Sequence, residues 1–156
     1  MKLNLSFRAA LESDARLIFE WRNDPLTRQQ SHNTAELEWA SHLAWFQKML
    51  ISPDRILHLA FTNSDACASM RQDRIAGEKW LLSWMVNPAL RGKGIGTALL
   101  QQFVLNYPGD YLAEIKNENF ASIKMVQSAG FQLIEQRNFD QVWSFSIESK
   151  VNASPR

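Results

Sequence analysis

Three glycines at alternate positions, Gly92, Gly94 and Gly96, lie between an apolar segment and a stretch with helical periodicity. Because glycine has no Cβ, such a run lets successive backbone N–H groups point into one concavity. The concavity would open onto a helix N-terminus, where unpaired N–H groups and the helix dipole favour an anion. Arg91 and Lys93 add positive charge at the same place. The stretch is therefore predicted to bind a phosphate-bearing ligand.

Two familiar phosphate-binding motifs do not fit this spacing. A Walker loop requires Ser or Thr after Gly-Lys, but Lys93 is followed by Gly94, and the dinucleotide pattern G-x-G-x-x-G also fails. What remains is Arg-x-x-Gly-x-Gly, at Arg91, Gly94 and Gly96, after a strand that ends in Val86-Asn87-Pro88. This arrangement resembles the acetyl-CoA-binding signature of the GNAT N-acetyltransferase superfamily.

The resemblance implies that acetyl-CoA is the co-substrate and that no metal is required. It also implies that backbone N–H groups hold the acetyl carbonyl where the central strand splays, near Trp84 to Val86. Donors fixed at that place would stabilise the oxyanion that forms during transfer. The residues assigned to the coenzyme in this way are Met85, Val86, Arg91, Gly92, Lys93, Gly94, Ile95, Gly96 and Thr97.

A second segment agrees with the resemblance. Asn119 precedes a helical pattern that contains Ser122 and ends at Gly130-Phe131. Taken alone, this describes a helix with a polar N-cap and a C-terminal glycine. In GNAT enzymes a matching segment lines the pantetheine arm of the coenzyme, so Asn119 and Ser122 are predicted to contact it.

The residue that many GNAT members use as a proton donor is replaced in this chain. A tyrosine four residues before the glycine of the second segment protonates the departing thiolate in those relatives, and Val126 stands here. Tyr107 and Tyr111 have the right chemistry for this role, but the sequence does not place them. A thiolate that leaves without a protein donor is the alternative.

The general base departs from the family pattern as well. Relatives often carry a glutamate on the central strand, about where Leu81 stands. Glu78, Ser83 and Trp84 are the predicted catalytic residues, with Glu78 orienting a water that takes a proton from the amine. For Glu78, the competing interpretation is a surface charge where the strand begins.

A third segment, Trp21 to Pro25, places an aromatic ring and a guanidinium where a predicted helix ends. Such a pair can stack on a ring and bind phosphate or carboxylate. The segment resembles GNAT members that act on nucleotide-linked amino sugars in the pseudaminic acid pathway, and, more broadly, ribosomal-protein N-terminal acetylases and polyamine acetyltransferases. The residues predicted to bind the acceptor are Trp21, Arg22, Asn23, Arg28, His42 and Trp45. The competing interpretations are a core position for Trp21 and a structural role for His42.

Together these segments predict an acetyl-CoA-dependent N-acetyltransferase in which a primary amine attacks the thioester directly. The preferred acceptor is an amino sugar linked to a nucleotide. A protein N-terminal amine or a polyamine is the alternative within enzymes. A non-catalytic sensor that binds coenzyme A is the alternative outside them, because the expected acid and base are both missing.

Hydrophobic periodicity supplies the elements that position these residues. The pattern predicts an α/β fold of the GNAT type, with a mixed, mostly antiparallel sheet of about seven strands and helices on both faces. Predicted strands cover residues 3–8, 56–62, 66–71, 80–86, 111–115, 131–136 and 142–147. Predicted helices run from Ser13 to about Asp24, from Thr34 to Ser52, from Gly94 to just before Tyr107, and from Phe120 to Ala129. Polar loops are predicted at 25–33 and 72–77.

Length and composition set the remaining bounds. The chain has 156 residues, 46% of them hydrophobic, and a formal net charge of +1. These values predict one domain over residues 1–149, a loose tail over 150–156, and neither a nucleic-acid nor a membrane partner. Cys67 is the single cysteine, which suits a cytoplasmic protein. The expected partner is a small-molecule amine, and the expected state is a monomer or homodimer.

Overall fold

The computed structural model of the protein describes residues 3–147. Its strands are β1 (Leu5–Ala9), β2 (Arg55–Thr62), β3 (Asp65–Ala76), β4 (Lys79–Val86), β5 (Asp110–Lys116), β6 (Gln132–Gln136) and β7 (Asp140–Phe145). They form one seven-stranded sheet in the order β1-β2-β3-β4-β5-β7-β6. Neighbouring strands are antiparallel except β4 and β5, which are parallel. The predicted mixed, mostly antiparallel sheet is confirmed, and the tail predicted at 150–156 lies outside the described residues.

Five α-helices accompany the sheet within the described residues. They are α1 (Ala15–Arg22), α2 (Pro25–Gln30), α3 (Trp39–Ile51), α4 (Ile95–Asn106) and α5 (Phe120–Ser128). No helix in this part of the chain has the length and apolar composition needed to cross a membrane.

The helices pack on both faces of the sheet and create two cores. Helices α4 and α5 contribute residues such as Phe103 and Val126 to one core, which also takes Leu82 and Trp84 of β4. Helices α1 and α3 form the other core, and Met85 of β4 packs against it. Successive side chains of β4 therefore alternate between the two faces, as expected for a strand.

Strand β3 is longer than the pattern predicts. The sequence suggests a strand over 66–71 and a loop over 72–77, whereas β3 continues to Ala76. Polar residues hide this continuation, and one of them, Gln72, is satisfied across the sheet rather than exposed in a turn. Gln72 is buried, and its Oε1 accepts a hydrogen bond from Nε2 of His58 at 2.8 Å.

The connection between α1 and α3 also differs from the prediction. Part of the predicted loop over 25–33 is helix α2, which has Pro25 in its first turn and Asp24 as its N-cap. Helix α3 begins at Trp39 rather than near Thr34. The segment before α3 is not helical. The side-chain amide of Asn23 holds it by hydrogen bonds to the N–H and the carbonyl of Leu37, at 2.7 and 3.0 Å.

Candidate active site

The two parallel strands β4 and β5 separate halfway along their length. Their paired register ends at Leu82 and Ala113. Beyond that point β5 continues to pair with β7 as far as Lys116, while β4 continues to Val86 beside β3. A gap therefore opens in the middle of the sheet, and it opens at the end of β4 that leads into the glycine-rich loop.

Backbone groups of β4 point into this gap. The N–H of Asn87 bonds the carbonyl of Cys67 on β3 at 2.8 Å. Because N–H and C=O groups alternate in direction along a strand, those of Val86 and Trp84 point the other way, toward β5. Within residues 3–147 they have no strand partner there. They are therefore donors and acceptors that a ligand in the gap can use.

The loop after β4 ends at the N-terminus of α4. Gly92 and Gly94 adopt left-handed backbone angles, with φ of 77° and 79°, and a Cβ there would be strained. Gly94 is the N-cap of α4, and no side chain caps that helix. Among the described residues none accepts from the N–H groups of Ile95, Gly96 or Thr97. These donors form a cradle suited to a diphosphate.

Gly96 has a different role from the other two glycines. It lies in the first turn of α4, and a Cβ built on it would lie 2.8 Å from Sδ of Met125 on α5. Gly96 therefore allows α4 and α5 to pack closely. Gly92 and Gly94 thus have the backbone angles that require glycine in the loop, whereas the missing Cβ of Gly96 is needed for helix packing while its N–H remains in the cradle.

The two basic residues of the loop have different surroundings. The guanidinium of Arg91 bonds the Asp24 carboxylate and the Thr27 hydroxyl of α2. The hydrogen bond from Arg91 lowers the pKa of Asp24 below its ordinary value. Lys93 is exposed. Arg91 thus fastens α2 to the glycine-rich loop in addition to placing positive charge near the cradle.

The second predicted coenzyme segment lies at the start of α5. Asn119 is the N-cap, and its Oδ1 accepts from the N–H of Ser122 at 3.2 Å. The Ser122 hydroxyl in turn accepts from the indole Nε1 of Trp84 at 3.1 Å. The predicted residues on β4 and α5 are therefore in direct contact. These hydrogen bonds also stabilise the start of α5 and its packing on β4.

The predicted acceptor residues divide into buried and accessible groups. Trp21 is 4% exposed and His42 is 1% exposed, so both belong to the core of α1 and α3. Arg22 and Trp45 are partly exposed and stack, with Cζ of Arg22 4.2 Å from the indole centroid. The expected shared groove of His42 and Trp45 is therefore wrong for His42, because its ring is enclosed between the helices.

Two further predicted acceptor residues lie in the connection after α1. The side-chain amide of Asn23 is engaged by the backbone of Leu37. Arg28, on α2, is partly exposed and lies 4.0 Å from Glu36, and its Nε is buried without a hydrogen-bond partner. Of these two, Arg28 is the one with a side-chain donor that has no partner among the described residues, although that Nε atom is buried.

Glu78 does not join the gap. It is exposed in the turn before β4 and borders a separate cavity of about 520 Å³, together with Trp80 and Tyr107. At a rise of roughly 3.3 Å per residue, six residues of strand separate Glu78 from Trp84 by about 20 Å. The predicted base is thus at the wrong end of β4, whereas Ser83 and Trp84 lie where the gap opens.

The two tyrosines are also poorly placed to act as the general acid. Tyr111 is 2% exposed, and its hydroxyl donates to the Tyr107 carbonyl at 2.5 Å. Burial raises the pKa of Tyr111 to about 12. Val126, at the family's tyrosine position, is 0% exposed in the core.

Two residues at this site were not singled out from the sequence. Glu114 follows the last β4-paired residue of β5, and Arg71 lies opposite Ser83 on β3. Side chains alternate along a strand, and the neighbours of Glu114, Ala113 and Ile115, are buried in the core of α4 and α5. Glu114 therefore faces the side of the sheet that carries α1. That alternation was visible in the sequence, but the place where the strands separate was not.

Comparison with known proteins agrees with this geometry. The family model described as the acetyltransferase (GNAT) domain matches residues 4–132. No curated protein sequence matches the chain.

Solved structures of the same fold bind coenzyme A or acetyl-CoA. AAC(6′)-Ib in complex with ribostamycin and coenzyme A superposes with a TM-score of 0.80 at 15% identity, over 98% of each chain. RimL, the ribosomal L7/L12 alpha-N-protein acetyltransferase, in complex with coenzyme A gives 0.80 at 15% identity, over 95% of this chain and 97% of its own. YncA from Salmonella typhimurium with its cofactor acetyl-CoA gives 0.73 at 20% identity, over 97% and 98%. At these identities the similarity establishes the fold.

The family match spans the glycine-rich loop, the end of β4 and the start of α5, which are the elements that surround the gap. The chain therefore belongs to the GNAT acetyltransferase family, as an enzyme that uses acetyl-CoA.

Proposed function

We propose that the enzyme transfers the acetyl group to a primary amine of a small molecule by direct attack, and that the preferred acceptor is an amino sugar linked to a nucleotide. The observation that carries this proposal is the gap between β4 and β5. It has the glycine-rich loop on one side and the partly exposed Arg22 and Trp45 on the face of α1 and α3.

The chain's own groups fit the co-substrate. The free N–H groups at the start of α4 suit its diphosphate, and the backbone of Trp84 and Val86 suits the amide-rich arm that enters the gap. When bound, acetyl-CoA supplies a thioester carbonyl for attack. The N–H groups of β4 are fixed donors for the charge that develops on that carbonyl oxygen.

The amine must be neutral to attack, so a group near the gap has to accept its proton. We assign this role to Glu114, which lies on β5 where the strands have separated. Its carboxylate is held by Arg137 at 3.0 Å, and an exposed ring nitrogen of His32 lies within 4.8 Å of it. A proton received by Glu114, directly or through water, can pass to the solvent through a water that bridges Glu114 and His32.

No tyrosine is assigned to the departing thiolate. Tyr111 is enclosed and bonded to a backbone carbonyl, and Val126 replaces the usual donor. Water in the gap is then the source of the proton. A thiolate is a good leaving group near neutral pH, so this replacement is compatible with turnover.

The surface formed by Arg22 and Trp45 favours an acceptor that contains a ring. Trp45 presents an indole beside a guanidinium, and such a surface stacks on planar or cyclic groups. A protein N-terminal amine, the substrate type named for RimL, remains the alternative within enzymes. A polyamine is less suited, because the arginines here would repel it. We place the reaction in the cytoplasm, where nucleotide-linked sugars are made.

The test is thiol release from acetyl-CoA with a panel of amines that includes nucleotide-linked amino sugars, amino acids, polyamines and peptide N-termini. Turnover with a sugar nucleotide would support the proposed acceptor. Tight binding of coenzyme A in calorimetry, with no turnover on any amine, would instead identify a sensor. No binding of coenzyme A would refute the assignment of the loop.

A further inference from the structure

Arg22 carries a positive charge that forms an ion pair with no acidic residue in the described part of the chain. Its Nη1 bonds Nδ1 of His42 at 3.1 Å, and its guanidinium lies over the ring of Trp45. No carboxylate within residues 3–147 lies within the 4.0 Å of an ion pair with it. Burial, and then the charge of Arg71, lower the pKa of Arg22 to about 10. A half-buried charge of this kind is costly until a counter-ion arrives.

Arg71 lies beside the same indole, with Cζ 5.6 Å from the ring centroid of Trp45. Its own partner is Asp73, at 3.0 Å, and Arg55 shares that carboxylate at 3.7 Å. Around Trp45 the protein therefore gathers more guanidinium groups than carboxylates. Since one carboxylate is shared by Arg71 and Arg55 and none pairs with Arg22, the like charges of Arg22 and Arg71 favour the binding of an anion.

The position of this pair connects it to the reaction. Arg71 is paired in register with Ser83, the first residue of β4 beyond the part that pairs with β5. Directly opposed residues share one face of a sheet. An anion held by Arg71 and Arg22 would thus lie on the face of the sheet that carries α1 and α3, at the mouth of the gap.

We propose that Arg22 and Arg71 form a subsite for an anionic group, a carboxylate or a phosphate, carried by the acceptor amine. The proposal rests on the proposed acetyl transfer and narrows its substrate class. The acceptor is an amine with a negative charge of its own, and the indole of Trp45 packs against both arginines that hold that charge. Polycationic amines are excluded by the same charges.

Binding can be tested without turnover. Inorganic phosphate and, separately, acetate are titrated into protein saturated with coenzyme A, so that the loop before α4 is already filled. NMR signals of the Trp45 indole N–H and the Arg22 Nε–H report the subsite. The signals should shift to saturation with the preferred anion in wild type and in Arg74→Gln, and the Trp45 shift should be lost in Arg22→Gln and Arg71→Gln.

Arg74→Gln is the matched control, because Arg74 stacks on Trp80 at 4.3 Å and pairs with Asp54 away from the gap. Phosphate and acetate are compared by the concentration at which each saturates the shift. Shifts that persist in both subsite variants, or no shift with either anion, would overturn the proposal.

Kinetics supply the second arm. Pairs of amines with and without the anion are compared, such as glucosamine 6-phosphate with glucosamine and serine with serine amide, with kcat/KM expressed per neutral amine because the anion also changes the pKa of the amine. The anionic member should have the higher kcat/KM, and Arg22→Gln should raise its KM by about 10- to 100-fold with little change in kcat, as for a lost charge-assisted contact. A neutral member that reacts equally well would contradict the subsite.

The two proposals fail in different ways. If calorimetry finds no binding of coenzyme A, acetyl transfer is refuted, and the anion titration is then run on the protein alone, where the Arg22 and Arg71 variants still test the subsite. If coenzyme A binds and amines are acetylated without regard to their charge, only the subsite is refuted.

Discussion

Nδ1 of His42 lies 3.1 Å from Nη1 of Arg22, and its Nε2 lies 2.8 Å from the carbonyl oxygen of Ala15. Because a carbonyl only accepts, Nε2 must carry the proton, which leaves Nδ1 free to accept from the guanidinium. Burial lowers the pKa of His42, in agreement with a neutral ring. A neutral histidine therefore orients Arg22 without cancelling its charge.

This neutral state predicts how stability depends on pH. Burial lowers the pKa of both His42 and His58 in the folded chain, whereas in the unfolded chain each titrates near 6.5. Below that pH the unfolded state binds more protons than the folded state, so the free energy of unfolding should fall as the pH drops from 7 to 5. The slope is at most about 1.4 kcal/mol per pH unit for each histidine.

Urea denaturation at several pH values measures this slope, and His58→Gln should reduce it. The pH range matters for the attribution, because the lowered pKa of Asp14 and Asp24 affects stability only in more acidic solution, near pH 4 and below. A free energy of unfolding that stays constant between pH 7 and 5 would contradict neutral histidines in the folded state.

Glu114→Gln tests the proton acceptor. The variant should lower kcat by about 10- to 100-fold at pH 7, within the usual range for a general base. The defect should shrink as the pH rises toward the pKa of the acceptor amine, because more of the amine is then already neutral. Measurement of kcat against pH in both proteins checks this.

Glu135→Gln is the matched control for that experiment. Glu135 pairs with the same Arg137, at 3.4 Å, but its side chain is 57% exposed on β6. It should retain wild-type kcat. If the two variants lose activity equally, the effect comes from Arg137 and not from the carboxylate of Glu114.

Substitution of the two glycines on either side of the α4 N-terminus should differ in its effect on coenzyme A binding. Gly94→Ala places a methyl group at a backbone φ of 79°, with no protein atom closer than 4.0 Å, so it should cost about 1 to 2 kcal/mol of strain and weaken coenzyme A binding. Gly96→Ala places its methyl group 2.8 Å from Met125. It should cost about 1 to 3 kcal/mol by overpacking while the folded protein keeps its affinity.

Calorimetry with coenzyme A and thermal unfolding together separate these effects. Full affinity in Gly94→Ala would show that the loop does not cradle the diphosphate. Unchanged stability in Gly96→Ala would show that α4 and α5 can move apart at little cost.

Tyr111→Phe examines whether a tyrosine donates the proton to the thiolate. The change removes the hydrogen bond to the Tyr107 carbonyl and should cost about 1 kcal/mol of stability. Its kcat should stay within about twofold of wild type, because the ring is enclosed in the core of α4 and α5. A large loss of kcat in a folded variant would make Tyr111 the acid after all.

The sequence was most informative where one backbone feature dominates. The strand, the glycine-rich loop and the helix that follows were predictable because Gly92 and Gly94 occupy conformations that other residues avoid. The extension of β3 was not, since Gln72 reads as a loop residue until His58 is found opposite it. Local pattern cannot report a partner that is distant in the chain.

The catalytic side was harder for a related reason. Glu78 and Glu114 are both acidic residues beside strand segments, and only the register of β4 with β5 places the second at the gap and the first far from it. The burial of His42 likewise depends on how α1 packs against α3. These are relations between elements, which single-sequence periodicity does not contain.

Helix α2 crosses from one side of the gap to the other. Arg91, beyond the end of β4, bonds Asp24 and Thr27 near its start, and Lys116 of β5 bonds the Gln29 carbonyl at its end, at 2.9 Å. None of its residues is buried. Amino-acid substitutions in this short helix should therefore leave both cores intact. A change of acceptor during evolution would cost little folding stability, and homologues with unlike substrates should diverge here first.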